Sequence, residues 1–275
     1  MNIVSKLSKY KQYLISCEKS EATIEKYIRD AGCFLKWTKN REITKELVLE
    51  YKEIISQKFK PTGANSVISS LNSYFDFAQM THCKVKSLKI QKRIFMSQDR
   101  ELSKAEYTRL LKAAEKNKRL YFVMQTICAC GIRVSELKYI TVEAIKTGQA
   151  SINCKGKMRI VMLPNQLCKK LRAYAGSKGI KSGAVFITRN GNPLDRSNIW
   201  SDMKKLCTKA NVSEEKVFPH NLRHLFARVY YSMKKDIVRL ADILGHSSIN
   251  TTRIYTMESG DIHRKHIEKL GLLLC

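Results

Sequence analysis

Leu244-Gly245-His246-Ser247-Ser248-Ile249-Asn250-Thr251-Thr252-Arg253-Ile254-Tyr255 follows a helical pattern over residues 236–244 and sets a tyrosine nine residues beyond a histidine. Three segments upstream belong with it. His220-Asn221-Leu222-Arg223-His224 opens a helical pattern over residues 220–232. On a helix, His220 and Arg223 are three apart and share a face, and His224 lies one position further round. Gly131-Ile132-Arg133-Val134-Ser135-Glu136-Leu137 places Arg133 just after a glycine break at a helix start, where backbone N–H groups favour an anion. Between them, residues 150–163 change to a β-rich period around Lys155-Gly156-Lys157, which predicts a β-hairpin with a basic tip.

Working outward, the rest of the chain is helical. Ile24, Tyr27, Ile28, Ala31 and Leu35 recur at helical spacing, and Thr44 caps a stripe of Leu47, Val48, Tyr51, Ile54 and Ile55. A further helix follows Pro61 and Gly63, and another covers residues 4–16. The aromatic stripes of these helices read as core rather than as a base-stacking platform. Ser103 and Glu106 form a capping-box signal ahead of Leu110 and Leu111. Residues 120–130 are apolar nearly all round, which predicts a buried helix. A short helix is expected over Val134–Tyr139, a short strand over residues 185–188, and helices near 165–175, 195–210 and 260–270. The fold class is therefore mainly α. A four-helix N-terminal domain (1–83) is joined by a basic linker (84–97) to a C-terminal α+β domain (98–275) with a small β-hairpin or sheet.

Charge narrows the partner. The 275 residues hold 51 Lys and Arg against 24 Asp and Glu, a formal net charge of +27. Residues 1–95 carry 18 basic and 9 acidic side chains, and residues 96–275 carry 33 and 15, so the excess spans the chain. Self-repulsion of this size opposes compactness and points to a polyanion, with nucleic acid ahead of an anionic membrane surface. The basic run over residues 84–93 reads as a solvated linker that could also track a phosphate backbone. Nine scattered cysteines without a C-x-x-C read as reduced thiols of a cytoplasmic protein, with neither a disulfide framework nor a zinc site expected. No signal peptide or membrane span is expected.

Breaking a phosphodiester requires donors aimed at the non-bridging oxygens, a nucleophile, and an acid for the leaving oxygen. Many nucleases meet this with metal ions on clustered carboxylates. Here acidic residues are few, and an arginine-based site without metal or other cofactor suits the composition better. Each residue alone has an ordinary explanation: a tyrosine, one of 12, is usually core, and Arg133 could be a surface charge. Their joint order is what singles them out. H-x-L-R-H, L-G-H-S-S-x-x-T-T-x-x-Y, G-x-R-x-S-E-L and the K-G-K hairpin together resemble the tyrosine recombinase, or phage-integrase, family, and look most like its two-domain Xer-type members. The match covers essentially the whole second domain, and the four-helix first domain suits that family's core-binding domain without a specific motif.

The resemblance implies a set of roles. Tyr255 attacks the scissile phosphate, leaving a 3′-phosphotyrosine bond and a free 5′-hydroxyl, and no ATP is consumed. Arg133 and Arg223 hold the non-bridging oxygens through charge-assisted hydrogen bonds. Lys155 protonates the leaving oxygen, with Lys157 and Arg159 close by as alternatives and Cys154 standing where the family often has glycine. His220 assists proton removal from the tyrosine, and His246 donates a hydrogen bond to the phosphate. Glu136 orients a catalytic arginine, and His224 packs. The expected partner is double-stranded DNA, gripped between two basic domains. The expected assembly is a homo-tetramer on two DNA sites, with room for a partner recombinase or a directionality factor. The apolar end of the chain, Leu270 and Leu272 to Leu274, either docks on a neighbouring subunit or packs on its own domain. Three functions share these residues: a site-specific recombinase, a type IB topoisomerase-like relaxation enzyme, and a non-catalytic DNA-binding accessory protein.

Overall fold

The protein is described here from a computed structural model covering residues 3–90, 100–154, 157–188, 190–246, 248–255 and 268–269. Lys155, half of the expected linker (91–97) and the apolar C-terminal end lie outside the described residues. The chain divides into two compact units, Met1–Lys92 and Arg93–Cys275.

The first unit is four helices: α1 (Ile3–Ser16), α2 (Glu21–Thr38), α3 (Lys45–Lys58) and α4 (Pro61–Phe77). Thr44 caps α3 by accepting a hydrogen bond from the Leu47 amide, and Pro61 occupies the first turn of α4, where its missing N–H costs nothing. The aromatic stripes are core. Tyr10, Phe34 and Phe75 are fully buried, with Phe34 meeting Phe75 edge-on at 5.7 Å and Tyr10 meeting Tyr74 at 5.2 Å. One polar knot sits among them. Asp30 on α2 accepts from Lys26 (2.5 Å) and from Ser70 on α4 (2.9 Å), so its buried carboxylate is both paired and hydrogen-bonded. Residues 84–90, assigned by the sequence to the linker, have neither helix nor strand but are held against α4. The Asn72 side chain exchanges hydrogen bonds with the backbone of Val85, and Asn65 does the same with Leu88.

In the second unit, Ser103 and Glu106 form the complete capping box of α5 (Lys104–Ala113). The next helix, α6 (Lys118–Cys130), packs on α11 (Pro219–Lys234) at the centre of the core, with Val123, Met124, Ile127 and Leu222 fully buried. Val134–Tyr139 is a 3-10 turn, tighter than the helix expected. After α7 (Val142–Thr147) comes the hairpin, β1 (Gln149–Cys154) paired antiparallel with β2 (Lys157–Met162), with Ile152 opposite Arg159. Its inner face is Ala150, Ile152 and Val161, whereas Met158, Ile160 and Met162 point outward and are exposed.

Helix α8 (Asn165–Ser177) follows. The strand expected over residues 185–188 is absent: single bridges pair Thr141 with Ala184 and Ile187 with Pro193, because the chain turns back at Thr188–Asn192 before a ladder can build. The helix expected over 195–210 is two, α9 (Arg196–Lys204) and α10 (Cys207–Ala210). The Leu206 amide bonds three residues back to Met203, a tightening that re-aims the chain between them. The unit continues through α12 (Ile237–Leu244), α13 (Ile249–Thr252) and a 3-10 turn, Arg253–Tyr255.

Candidate active site

The site assembles at the C-terminal end of α12. A helix end leaves its last carbonyls without partners, and cations there are favoured by the helix dipole. Three successive carbonyls of this end are each met by a different guanidinium: Ile243 by Arg159 (3.1 Å), Leu244 by Arg223 (2.7 Å) and Gly245 by Arg133 (3.5 Å). On the other side, all three face Glu136, which is 1% exposed. Its Oε1 accepts from Arg133 (2.9 Å) and its Oε2 from Arg159 (2.7 Å), and Arg223 Nη1 lies 4.0 Å from Oε2. The same carboxylate also accepts from the Arg133 amide at 2.7 Å. The arginines are thus fixed between one carboxylate and one helix end, at a local excess of positive charge that an anion would neutralise.

Two glycines make this geometry possible. Gly245, at φ +64°, leaves the helix in the left-handed region, and a Cβ on it would lie 2.5 Å from Arg159 Nη1. Gly131, at φ +63°, ends α6 in the same way, and a Cβ there would lie 2.4 Å from the Phe226 ring. The carbonyl of Gly131 then accepts from Arg223 Nη1 at 2.7 Å.

Arg223 is fully buried, and burial pushes its pKa down to about 10, with the Arg133 charge adding to the effect. It therefore stays charged at neutral pH. Its Nη2 also donates to His246 Nε2 (2.9 Å), while His246 Nδ1 lies 2.8 Å from the buried hydroxyl of Thr252. Burial and the neighbouring arginines push His246 down to about 4, so the ring is neutral. Tyr255 is 5% exposed, seated on Ala227, Leu240 and Leu244. Its ring meets His224 edge-on at 5.1 Å and stacks on His246 at 6.2 Å. Burial pushes the Tyr255 phenol up, while the Arg223 guanidinium against it pulls the other way. His224 in turn meets His220 at 4.5 Å. Burial pushes His224 down to about 3, and its Nε2 has no hydrogen-bond partner among the described residues. His220 lies at the exposed rim, where surrounding protein and then the Arg223, Arg133 and Arg196 charges push its pKa down.

Five of the six residues singled out in the sequence, Arg133, His220, Arg223, His246 and Tyr255, therefore converge, and the sixth, Lys155, lies outside the described residues. A model of the phage integrase family matches residues 100–260, more than half of the chain and all five of these positions. The chain belongs to the phage integrase family. A tyrosine recombinase of Pseudothermotoga lettingae is 30% identical over 269 residues, covering 90% of this chain and 92% of its own length. Tyrosine recombinase XerA of Thermococcus kodakarensis is 28% identical over 276 residues, covering 97% and 95%. Among solved structures, XerH recombinase bound to its difH substrate before cleavage superposes with a TM-score of 0.73 at 18% identity, over 94% of this chain and 82% of that one. At that identity it shows the shared fold.

This tyrosine recombinase has one site member that sequence reasoning passed over. The sequence offers Arg159 only as an alternative to Lys155, yet it joins the hairpin to both Glu136 and the α12 end. The signal was there: on β2 the apolar Met158, Ile160 and Met162 share one parity, and Arg159 shares the other with the buried Val161. An arginine on the inward parity of a half-buried strand needs a buried partner. Among the described residues no group of three or more His, Cys, Asp or Glu could hold a metal ion, and no helix is long and apolar enough to cross a membrane.

Proposed function

We propose that this recombinase cuts and rejoins DNA strands at specific sites through a transient 3′-phosphotyrosine bond to Tyr255, without metal or ATP. The observation that supports it is the seat of Tyr255, ring to ring with His224 and His246 and against Arg223, beside three guanidiniums that outnumber their one carboxylate. The Tyr255 oxygen attacks phosphorus, and the bond to the 5′ oxygen breaks as the bond to tyrosine forms. Arg133 and Arg223, held beside Glu136 and the end of α12, take the added charge on the non-bridging oxygens. Because burial keeps the phenol neutral, its proton must leave during attack. His220, exposed at the rim and neutral, is the group that takes it. Lys155 supplies the proton to the leaving 5′ oxygen, and His246 donates to the phosphate. Attack of a 5′-hydroxyl on the phosphotyrosine reverses the steps and rejoins a strand, so the energy of the ester is conserved.

The DNA partner agrees with the charge of +27. A lambda integrase tetramer bound to a Holliday junction shares the fold (TM-score 0.72, 18% identity), and we infer a homo-tetramer on two sites here.

The test uses duplexes selected by the full-length protein from fragmented genomic DNA. Incubation of the chain with these duplexes should give a covalent protein–DNA adduct resistant to denaturant, followed by exchanged strands. Tyr255→Phe should bind the same duplexes with unchanged affinity and give no adduct. An adduct with supercoil relaxation but no exchange would point to a topoisomerase-like enzyme. If no duplex gave an adduct with the unaltered chain, both enzymatic readings would fail.

A further inference from the structure

The hydrogen bonds of His246 fix where its proton sits. A guanidinium has donors and no acceptor, so a His246 Nε2 placed 2.9 Å from Arg223 Nη2 must offer its lone pair. The single proton of the neutral ring is then on Nδ1 and is donated to Thr252 Oγ1, 2.8 Å away. That is the opposite of the arrangement the proposed reaction needs, in which Nε2–H points to a non-bridging oxygen. A carbonyl or carboxylate opposite Nδ1, the common partner of a histidine, could only accept and would hold the proton on Nδ1. A hydroxyl can accept or donate according to how it rotates. Thr252 is 0% exposed, and His246 Nδ1 is its one side-chain hydrogen-bond partner among the described residues.

We propose that Thr252 is a positioning residue that lets His246 change tautomer when a phosphate enters, an inference that rests on the reading of His246 as a phosphate-facing group. With Nε2 against Arg223, Thr252 accepts from Nδ1–H. When a non-bridging oxygen takes the place of the guanidinium at Nε2, the ring loses its Nδ1 proton to water and gains one at Nε2 from water. Thr252 then rotates its hydroxyl and donates to Nδ1. The ring is neutral at both ends of the change, and no net proton is consumed. Three residues further on lies Tyr255, so the short segment that carries the nucleophile also carries the group that sets the donor.

The experiment has two arms on the full-length chain. Nitrogen-15 NMR of the histidine rings, with His246 assigned by the signals lost in His246→Gln, should show Nδ1–H in the free protein. It should show Nε2–H in Tyr255→Phe bound to a duplex from the selection above. In the second arm, Thr252→Val should bind duplex with unchanged affinity but form adduct about 10–100-fold more slowly, the size of loss seen when a group that orients a metal-bound histidine is removed. Thr252→Ser, which keeps the hydroxyl, should form adduct at close to the unaltered rate, well short of that loss. Nε2–H in the free protein overturns the proposal, as does Nδ1–H retained on duplex binding. So does a Thr252→Val chain that forms adduct at the unaltered rate. If Thr252→Val does not fold, the NMR arm decides alone. Failure of the unaltered chain to form any adduct would instead count against the proposed function, and the free-protein tautomer would still be read independently.

Discussion

Glu136 carries more of this site than any other single side chain, because one buried carboxylate is shared among Arg133, Arg159 and Arg223. Removing its charge would leave the Arg159 and Arg223 guanidiniums in a largely desolvated setting without the carboxylate that faces them. Breaking a buried ionic group from one side typically costs about 3–5 kcal/mol. Glu136→Gln should therefore lower stability by roughly 3 kcal/mol, read as a shift in the urea midpoint, and should also slow adduct formation. If its midpoint matched the unaltered protein, Glu136 would not be the group that holds the arginines. The sequence made Glu136 visible as a residue three positions from Arg133, suited to orient it. That it also serves a guanidinium from β2 and lies near one from α11 was beyond reach, because those residues are 23 and 87 positions away.

At the scale of elements, the decisive one is the turn that leaves α12. Its helix end supplies three carbonyls, its glycine admits the Arg159 guanidinium, and the residue after that glycine is His246. Gly245→Ala should fail for two separable reasons. A Cβ at φ +64° costs roughly 1–2 kcal/mol by itself, and the contact with Arg159 adds to it. The double variant Gly245→Ala/Arg159→Ala should recover the contact part but not the backbone part. Urea unfolding of the two singles and the double should therefore be non-additive by about 1 kcal/mol or more. Strict additivity would show that Arg159 does not fill that space. Helix starts in this protein were legible because they are local: Thr44 and the Ser103–Glu106 box cap as read. The misread elements were set by non-local fit. Residues 185–188 have strand chemistry but pair only through single bridges, and 195–210 has one helical pattern across a bond that tightens it into two.

The whole molecule adds two long-range consequences. Its charge of +27 makes DNA affinity a matter of counter-ion release, so the dissociation constant should rise steeply, by roughly 10³-fold or more between 50 and 200 mM salt if six or more phosphates are contacted. A shallow salt slope in a binding titration would contradict a phosphate-tracking surface. Protons act in the same global way. His224 and His246 are held neutral in the fold, at about 3 and about 4, whereas an unfolded histidine titrates near 6.5. The unfolded chain therefore binds more protons between these values. The stabilisation is complete above about pH 6.5 and is lost as the pH falls towards 4. After allowance for partial exposure, the pair should cost roughly 2 kcal/mol between pH 7.5 and 5. This is measurable as a lower urea midpoint at pH 5, and His246→Gln should remove its share of the difference.

The sequence by itself determined the helical class, the hairpin, a charge suited to a polyanionic partner, and five residues that converge, Tyr255 among them. The class, the hairpin and the charge follow from composition and periodicity, and the five residues from motifs whose order resembles one family; neither needs knowledge of distant neighbours. Only the tertiary structure decided how the donors are held. The carbonyls of α12, the carboxylate of Glu136 and the inward arginine of β2 meet across the second unit, and the tautomer of His246 is dictated by a guanidinium 23 residues away. Hydrogen-bond partners of buried charges are chosen by packing, and packing is not written in any one stretch of chain.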